Sequence, residues 1–228
     1  DNEINWSTAV QASLAEHGAT KTVTLYQDWE AKPSDTYTTS FGNTTGYLNG
    51  GLYVPVGASI ILDLKGYKVD RNLENARANG YVFYVAGELT IIDSGSIDSG
   101  IQVPDGVVPS TRERGIIAGG NNNSNNSGGA IVVIENGKLT VTRVSIGSTD
   151  AAEGARNAAT GNNAAGGIYA DINTDVKLND VIVTGNTGTV TGGVYSNGEL
   201  SAKVLNVNTN TATAITGRGG MYIGLNGK

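Results

Sequence analysis

The sequence has 228 residues, no cysteine and a formal net charge of −6. This length suits one large domain, and the lack of cysteine excludes disulfides, thiolate metal sites and a cysteine nucleophile. The 15 basic residues are scattered along the chain, so no nucleic-acid partner is expected. No apolar run approaches the roughly 18 residues of a membrane-spanning helix. We therefore expect no membrane span in this segment.

Residues 1–45 are predicted to form an N-terminal cap made of a helix, a strand and a loop. Apolar residues recur one helical turn apart in the first segment: Trp6, Val10 and Leu14. This spacing predicts a short amphipathic helix over residues 6–17, with Gly18 as the left-handed residue that ends it. The run "KTVTLYQDW" then alternates as a half-buried strand does, and a polar loop without periodicity follows it.

From Leu52 onward the sequence consists of short β-rich runs separated by turns rich in Gly and Asn. Double glycines open several of these runs, at Gly128, Gly166, Gly192 and Gly219. The intervals are 38, 26 and 27 residues, and the longest contains the insertion "TDAAEGARNAATGNN". A period of about 25 residues indicates units that stack in parallel and share one apolar core. The alternative is an antiparallel β-sandwich, which has no reason to repeat the double glycine.

Phrases of the form Gly-(Glu/Lys)-Leu-(Ser/Thr) place one leucine at an equivalent position in three repeats: Leu89, Leu139 and Leu200. In stacked parallel strands these leucines are expected to form a column in the core, while the charged residue before each leucine points outward. Two longer segments, residues 103–126 and 149–163, are expected to protrude from the repeats as loops.

The run "GGLYVPVGASIILDLKGYKVDRNL", followed by "GYVFYVAGELTIIDSGSI" and then by Gly-Gly phrases, resembles a known class of repeats. It is similar to the pectin-lyase-like, right-handed parallel β-helix regions of large secreted or cell-surface bacterial proteins, especially those of Gram-positive anaerobes. The resemblance implies an all-β fold, a right-handed parallel β-helix (β-solenoid) with a short N-terminal capping α-helix. The β-helix is expected to occupy residues 46–228 and to continue past residue 228.

For function, this resemblance implies a secreted or surface-anchored, non-catalytic adhesin or structural stalk module. Such a module presents loops to a host, matrix or neighbouring-cell ligand, which is a glycan or a protein. The fold class also hosts enzymes, so fold alone does not decide function. A third hypothesis is a self-associating extracellular fibre subunit, because the last copy of the repeat, "GGMYIGLNGK", offers strand edges to another molecule.

The enzyme hypothesis is a polysaccharide lyase or glycosidase, which needs carboxylates that converge on one face. Asp63 and Asp93 follow strands in comparable positions, "IILD" and "TIID", and Asp98 lies close by in the sequence. The alternative is that each carboxylate caps a turn by accepting backbone N–H bonds. Asp70 is a further candidate, and three aspartates are more distant ones: Asp171, Asp175 and Asp180. The sole histidine, His17, is expected at the end of the predicted helix, away from the repeats.

No cofactor is expected, with the exception of a weak calcium candidate. In "DSGSIDSG", Asp93 and Asp98 flank hydroxyl side chains that could hold Ca²⁺. The spacing fits neither an EF-hand nor the nonapeptide calcium repeat, and a capped turn explains the segment equally well.

One tyrosine occurs at an equivalent site in each of three repeats: Tyr169, Tyr195 and Tyr222. A row of tyrosines on successive strands is a candidate face for a glycan ligand, because aromatic rings stack on sugars and neighbouring polar groups bind their hydroxyls. The alternative is an aromatic ladder that supports the repeats without touching a ligand.

Overall fold

The structure is a computed structural model, and it describes residues 5–31, 46–48, 50–95, 110–150 and 156–228. In chain order its elements are α1 (Trp6–Ala15), β1 (Lys21–Thr24), β2 (Trp29–Glu30), β3 (Tyr47–Leu48), β4 (Gly51–Val54), β5 (Ser59–Asp63), β6 (Lys68–Asp70), β7 (Phe83–Val85), β8 (Glu88–Ile92), β9 (Gly115–Ala118), β10 (Asn121–Asn122), β11 (Ile131–Val133), β12 (Lys138–Thr142), β13 (Val144–Ile146), β14 (Ala158–Ala159), β15 (Ile168–Ala170), β16 (Asp175–Thr184), β17 (Thr187–Gly188), β18 (Val194–Ser196), β19 (Glu199–Asn208), β20 (Thr211–Ala212) and β21 (Met221–Ile223).

Helix α1 confirms the predicted helix, although it is two residues shorter than expected. Trp6 and Val10 are buried, because they lie on the face that meets the strands. The helix ends where His17 and Gly18 adopt left-handed backbone angles, with φ of 55° and 84°. The Gly18 amide donates a hydrogen bond of 2.7 Å to the carbonyl of Ser13, which closes the last turn.

The helix is fixed to the first repeat by polar and aromatic contacts. The Trp6 Nε1 donates to the carbonyl of Tyr53 at 3.1 Å, and the Ser59 amide donates to the Ser13 Oγ at 2.9 Å. The Trp6 ring lies 5.8 Å from that of Phe83, centre to centre. One cluster of buried apolar side chains runs from Trp6 to Val194, so the helix and the repeats share a core.

The strands in the described ranges form three sheets. The first has ten strands in the order β1-β5-β8-β12-β16-β13-β9-β6-β2, with β19 also paired to β16; the second has seven in the order β21-β18-β15-β11-β7-β4-β3; the third has four in the order β10-β14-β17-β20. Every described strand pair is parallel except β3 with β4. The antiparallel β-sandwich is therefore the wrong alternative.

The predicted column of leucines is confirmed by the register of the ten-stranded sheet. Leu89 pairs with Leu139, and Val176 links Leu139 to Leu200. The residues before these leucines are exposed, as predicted. Two of them form an ion pair, with 2.8 Å between the Lys138 Nζ and the Glu88 Oε1.

The predicted fold class, an all-β right-handed parallel β-helix, is wrong. With 45% of the described residues in strands and one short helix among them, the structure is mostly β, but its large parallel sheets form a half-barrel and not a clear β-solenoid. Extensive parallel sheets are typical of α/β folds, and the arrangement is closer to that class.

The ten-stranded sheet bends, and this bend explains why the pattern of strands led to the wrong fold prediction. Strand β16 pairs with β12 through its first half and with β13 through its second half, so the sheet continues around a bend. The residues at the bend have left-handed backbones, with φ of 62° at Arg143, 53° at Asp180 and 56° at Val204. This conformation costs about 1–2 kcal/mol per residue that is not glycine. Arginine, aspartate and valine share no side-chain property that would predict such a bend.

The prediction that residues 103–126 and 149–163 protrude as loops is wrong for the parts that the structure describes. The first segment contains β9 and β10, and the second contains β14. Strand β9 pairs with β6 and β13, and β10 pairs with β14. These described parts therefore complete repeats within the sheets.

The double glycines lie where backbones of neighbouring repeats approach closely. Gly167 aligns with Gly193 and then with Gly220, as the register of the adjoining strands requires. A Cβ atom at Gly167 would lie 2.6 Å from the Gly193 carbonyl oxygen, closer than real Cβ atoms come. The repeated double glycine therefore gives neighbouring repeats the room to pair.

The substitution Gly167→Ala is expected to lower the free energy of unfolding by about 2 kcal/mol, because overpacking forces the backbone to shift. The matched control is Gly220→Ala, where the new Cβ would meet only the Val207 Cγ1, at 3.8 Å. We expect the control to change stability by less than about 0.5 kcal/mol. Urea unfolding of both variants measures the difference, and equal effects would contradict the close-approach explanation.

Candidate ligand-binding face

Five tyrosines occupy one register position on the outer side of the seven-stranded sheet. We call them the tyrosine stripe: Tyr53, Tyr84, Tyr169, Tyr195 and Tyr222. The residues on either side of each tyrosine are buried, except Met221 and Ile223 beside Tyr222, which are exposed. Val132 takes the position of the stripe in β11. The structure thus brings the three predicted tyrosines together and adds two that the sequence analysis missed.

The rings of the last three tyrosines cover each other's faces. The ring centres of Tyr169 and Tyr195 are 5.1 Å apart at an interplanar angle of 12°, and those of Tyr195 and Tyr222 are 5.0 Å apart. The Arg218 guanidinium lies over the Tyr222 ring, 4.8 Å from its centre. A ligand on this part of the stripe would therefore meet ring edges and hydroxyl groups instead of open faces.

The last three tyrosines of the stripe differ in their exposure to solvent. Tyr169 is only 3% exposed, while Tyr195 and Tyr222 are partly exposed. The Asn197 Nδ2 donates to the Tyr195 hydroxyl at 3.3 Å, which leaves that hydroxyl free to donate its own hydrogen. Tyr169 supports the ladder, and Tyr195 and Tyr222 are the members that a ligand can reach.

Three tyrosines of the stripe have raised pKa values: Tyr53, Tyr84 and Tyr169. Burial, followed by the nearby charge of Glu135, raises the pKa of Tyr84 to about 12. Burial, followed by the charge of Asp171, also raises the pKa of Tyr169. The charge of Glu135 adds to burial in raising the pKa of Tyr53. Carboxylates therefore line the ends of the strands that carry the stripe.

These pKa values predict a loss of stability in alkali. An unfolded tyrosine titrates near pH 10.0, below the folded value for Tyr84, so the folded state holds its proton more tightly. The stabilisation is complete below pH 10 and declines as the pH rises towards 12. Tyr84→Phe should lose less stability than the parent chain between pH 10 and 12 in urea unfolding. Tyr26→Phe, an exposed tyrosine outside the stripe, should follow the parent curve; a Tyr84→Phe curve parallel to the parent would contradict the assignment.

A cleft beside the stripe arises from unequal turn lengths. The turn between β7 and β8 has two residues, 86–87, whereas the corresponding turns on either side have four, 55–58 and 134–137. The short turn leaves a notch with a volume of about 300 Å³ between the two longer ones. Its lining includes Gly18 from the segment after α1, both long turns and the first residues of β5, β8 and β12.

Asp63 and Asp93, the candidate carboxylates of the enzyme hypothesis, are buried and accept hydrogen bonds from turns. The Asp63 carboxylate accepts from the amides of Lys65 and Ser94 and from the Ser94 hydroxyl, the last at 2.8 Å. The Asp93 carboxylate accepts from the amides of three glycines: Gly66 at 2.8 Å, Gly95 at 3.0 Å and Gly115 at 2.8 Å. The residues do lie on adjacent repeats, as the sequence indicates, but they hold turns together.

The other predicted carboxylates also have local partners. Asp98 lies outside the described residues. The remaining four bind nearby cations or amides: Asp70 with Lys68 and the Asn72 amide, Asp171 with the Ile172 amide, Asp175 with Lys177, and Asp180 with Arg114. They are distributed over separate turns and strand ends. His17 is exposed in the turn after α1, where the sequence places it.

No group of three or more His, Asp or Glu side chains in the described ranges is arranged to hold a metal ion. All three hydrogen bonds to the Asp93 carboxylate come from backbone amides, and Asp98 is not among the described residues. A calcium site at these two aspartates stays a prediction.

Within the described part of the chain, no helix has the length and apolar character that a membrane crossing requires. No protein family, curated protein or solved structure matches the sequence or the fold significantly. The interpretation of this face therefore depends on its own geometry.

Proposed function

We propose that the chain is a non-catalytic binding module of a secreted or cell-surface protein. Its ligand is a glycan or a protein of a host, a matrix or a neighbouring cell. The observation that supports this proposal is the tyrosine stripe, in which one outward-facing position of the seven-stranded sheet carries five tyrosines. Tyrosine combines an apolar ring with a polar end, which suits it to surfaces that contact partners.

The state of the carboxylates favours binding over catalysis. A glycosidase needs two carboxyl groups that face the same sugar ring, and each must be available to the substrate. Asp63 and Asp93 are 7% and 4% exposed, and their oxygens accept hydrogen bonds from the turns. These two carboxylates therefore stabilise turns.

A glycan array, run in parallel with assays for new reducing ends and unsaturated products on the same polysaccharides, tests the proposal. We expect binding without turnover. The double variant Tyr195→Phe, Tyr222→Phe keeps the rings and removes two hydroxyls, so its affinity should fall about tenfold. Tyr26→Phe is the control, because Tyr26 is exposed but lies outside the stripe.

Other outcomes would favour the competing hypotheses. Turnover that is lost in Asp63→Ala or Asp93→Ala, in a variant that remains folded, would support a polysaccharide-active enzyme. Growth of assemblies with concentration, measured by sedimentation velocity, would support a self-associating fibre subunit. Absence of binding on the glycan array, together with binding to matrix proteins, would assign the stripe to a protein ligand.

A further inference from the structure

The cleft between the turns at residues 55–58 and 134–137 has the size and chemistry of a small ligand site. Its volume of about 300 Å³ is at the lower end of the range for ligand pockets, which suits about one or two sugar rings. It is open to solvent, and the floor is the short turn at residues 86–87.

The side chains that line the cleft carry more negative than positive charge. Glu88 and Lys138 form an ion pair of 2.8 Å across its rim, so their charges offset each other. Glu135 also lines the cleft, and within the described ranges it makes no ion pair. The cleft thus carries one uncompensated carboxylate, which attracts a cation and repels an acid.

The cleft adjoins the tyrosine stripe, because two of the turns that line it directly follow β4 and β7, the strands that carry Tyr53 and Tyr84. Burial raises the pKa values of both tyrosines, and the charge of Glu135 raises them further. Tyr53 is the first member of the stripe, and its amide donates a hydrogen bond of 2.7 Å to the Gly46 carbonyl. The rings of Tyr53 and Tyr84 are 5.8 Å apart and tilted by 57°, so they do not cover each other as a parallel stack does.

We propose that this cleft, bounded by Glu88, Glu135 and Lys138 and adjoining Tyr53 and Tyr84, binds a glycan segment that carries an amino sugar. Glu135 accepts a charge-assisted hydrogen bond from the sugar ammonium group. The tyrosine rings contact the apolar face of the sugar and attract its cation. Lys138 and Glu88 donate to and accept from the remaining hydroxyls. This inference rests on the proposed binding function and names its ligand class and position.

Three soluble tetrasaccharides separate the charge requirement from general sugar binding: a glucosamine tetramer, cellotetraose and tetragalacturonate. Each is titrated into the ¹⁵N-labelled chain at pH 6, where glucosamine is protonated, and amide shifts are followed by NMR. We expect the glucosamine tetramer to shift the amides of Gly57, Gly87 and Gly137, which belong to the three turns of the cleft. Cellotetraose should bind at least about fivefold more weakly, because it lacks the charge-assisted bond, and tetragalacturonate should leave these amides unchanged.

Matched variants separate the cleft from the net negative charge of the chain. Glu135→Gln should weaken binding of the glucosamine tetramer about fivefold. Asp175→Asn removes an exposed carboxylate paired with Lys177 outside the cleft, and it should leave affinity unchanged. Equal effects of the two substitutions would overturn the proposal, as would shifts confined to other surfaces.

The outcomes also separate this inference from the proposed function. Glycan binding on the array that Glu135→Gln does not alter would overturn the cleft site and leave the binding module intact. Absence of binding to every glycan and protein probe would overturn both.

Discussion

Asn186→Ala is expected to lower the free energy of unfolding by about 3 kcal/mol, because it removes three hydrogen bonds, two of them buried, from the corner that joins two sheets. Asn186 is fully buried between β16 and β17. Its Oδ1 accepts from the Asn157 Nδ2 at 3.0 Å, and its Nδ2 donates to the Ile146 carbonyl at 2.9 Å and to the Asn210 Oδ1 at 3.0 Å.

These contacts belong to a ladder of three asparagines, Asn157, Asn186 and Asn210, each directly before a strand of the four-stranded sheet. Every member donates to a backbone carbonyl of the preceding repeat, at 2.8 to 3.0 Å. An alanine in the middle would remove one hydrogen bond each from the Asn157 Nδ2, the Ile146 carbonyl and the Asn210 Oδ1, and a buried group that loses its partner costs about 1–3 kcal/mol. The ladder therefore stabilises the corner as one unit.

Asn206→Ala is the matched control. Asn206 is exposed and accepts one hydrogen bond of 3.0 Å from the Asn208 Nδ2, so its loss should change stability by less than about 0.5 kcal/mol. Urea unfolding followed by circular dichroism measures both variants. A loss below about 1 kcal/mol for Asn186→Ala would show that water or a shifted backbone replaces the ladder.

Features that repeat in the sequence could be predicted, because residues at equivalent positions of successive repeats become neighbours when the repeats stack. The column of Leu89, Leu139 and Leu200 and the register of Tyr169, Tyr195 and Tyr222 follow from that rule alone. The helix could also be predicted, since Trp6 and Val10 mark its buried face.

Features that depend on how repeats differ could not be predicted. The bend of the ten-stranded sheet relies on Arg143, Asp180 and Val204, which share a backbone conformation but no side-chain property. The cleft arises because one turn is two residues shorter than its neighbours, and this becomes visible only once the strands are aligned. Tyr84 lies in a repeat without the double glycine, so the phrase that identified the other tyrosines did not mark it, whereas Tyr53 follows Gly50 and Gly51 at the same spacing and could have been identified.

Asp93 accepts hydrogen bonds from turn amides, as the turn-capping interpretation of the sequence predicts, and its loss gives the largest expected effect. Asp93→Ala should lower the free energy of unfolding by about 4 kcal/mol, because hydrogen bonds to a charged group are worth about 1.5–3 kcal/mol each. The carboxylate is buried and accepts from the amides of Gly66, Gly95 and Gly115. Those glycines belong to three separate segments, so one side chain holds the turn after β5, its own turn and the start of β9 in place.

Asp93→Asn tests whether the acceptor oxygens or the shape of the side chain provide this stability. An amide has one acceptor oxygen, while Asp93 uses both: Oδ1 for Gly66 and Gly95, and Oδ2 for Gly115. Asparagine therefore turns an N–H donor towards at least one backbone donor, and we expect a loss of about 2 kcal/mol. Asp175→Asn, which breaks only an exposed ion pair with Lys177, should cost less than about 0.5 kcal/mol.

The same variants decide between a structural and a catalytic carboxylate. If Asp93 were catalytic, Asp93→Asn would cost little stability but would abolish any turnover of polysaccharide. A structural Asp93 gives the reverse pattern, in which thermal and urea unfolding shift and ligand binding at the tyrosine stripe persists below the unfolding transition. Because backbone amides from three separate segments donate to this one carboxylate, the second pattern is the one that we expect.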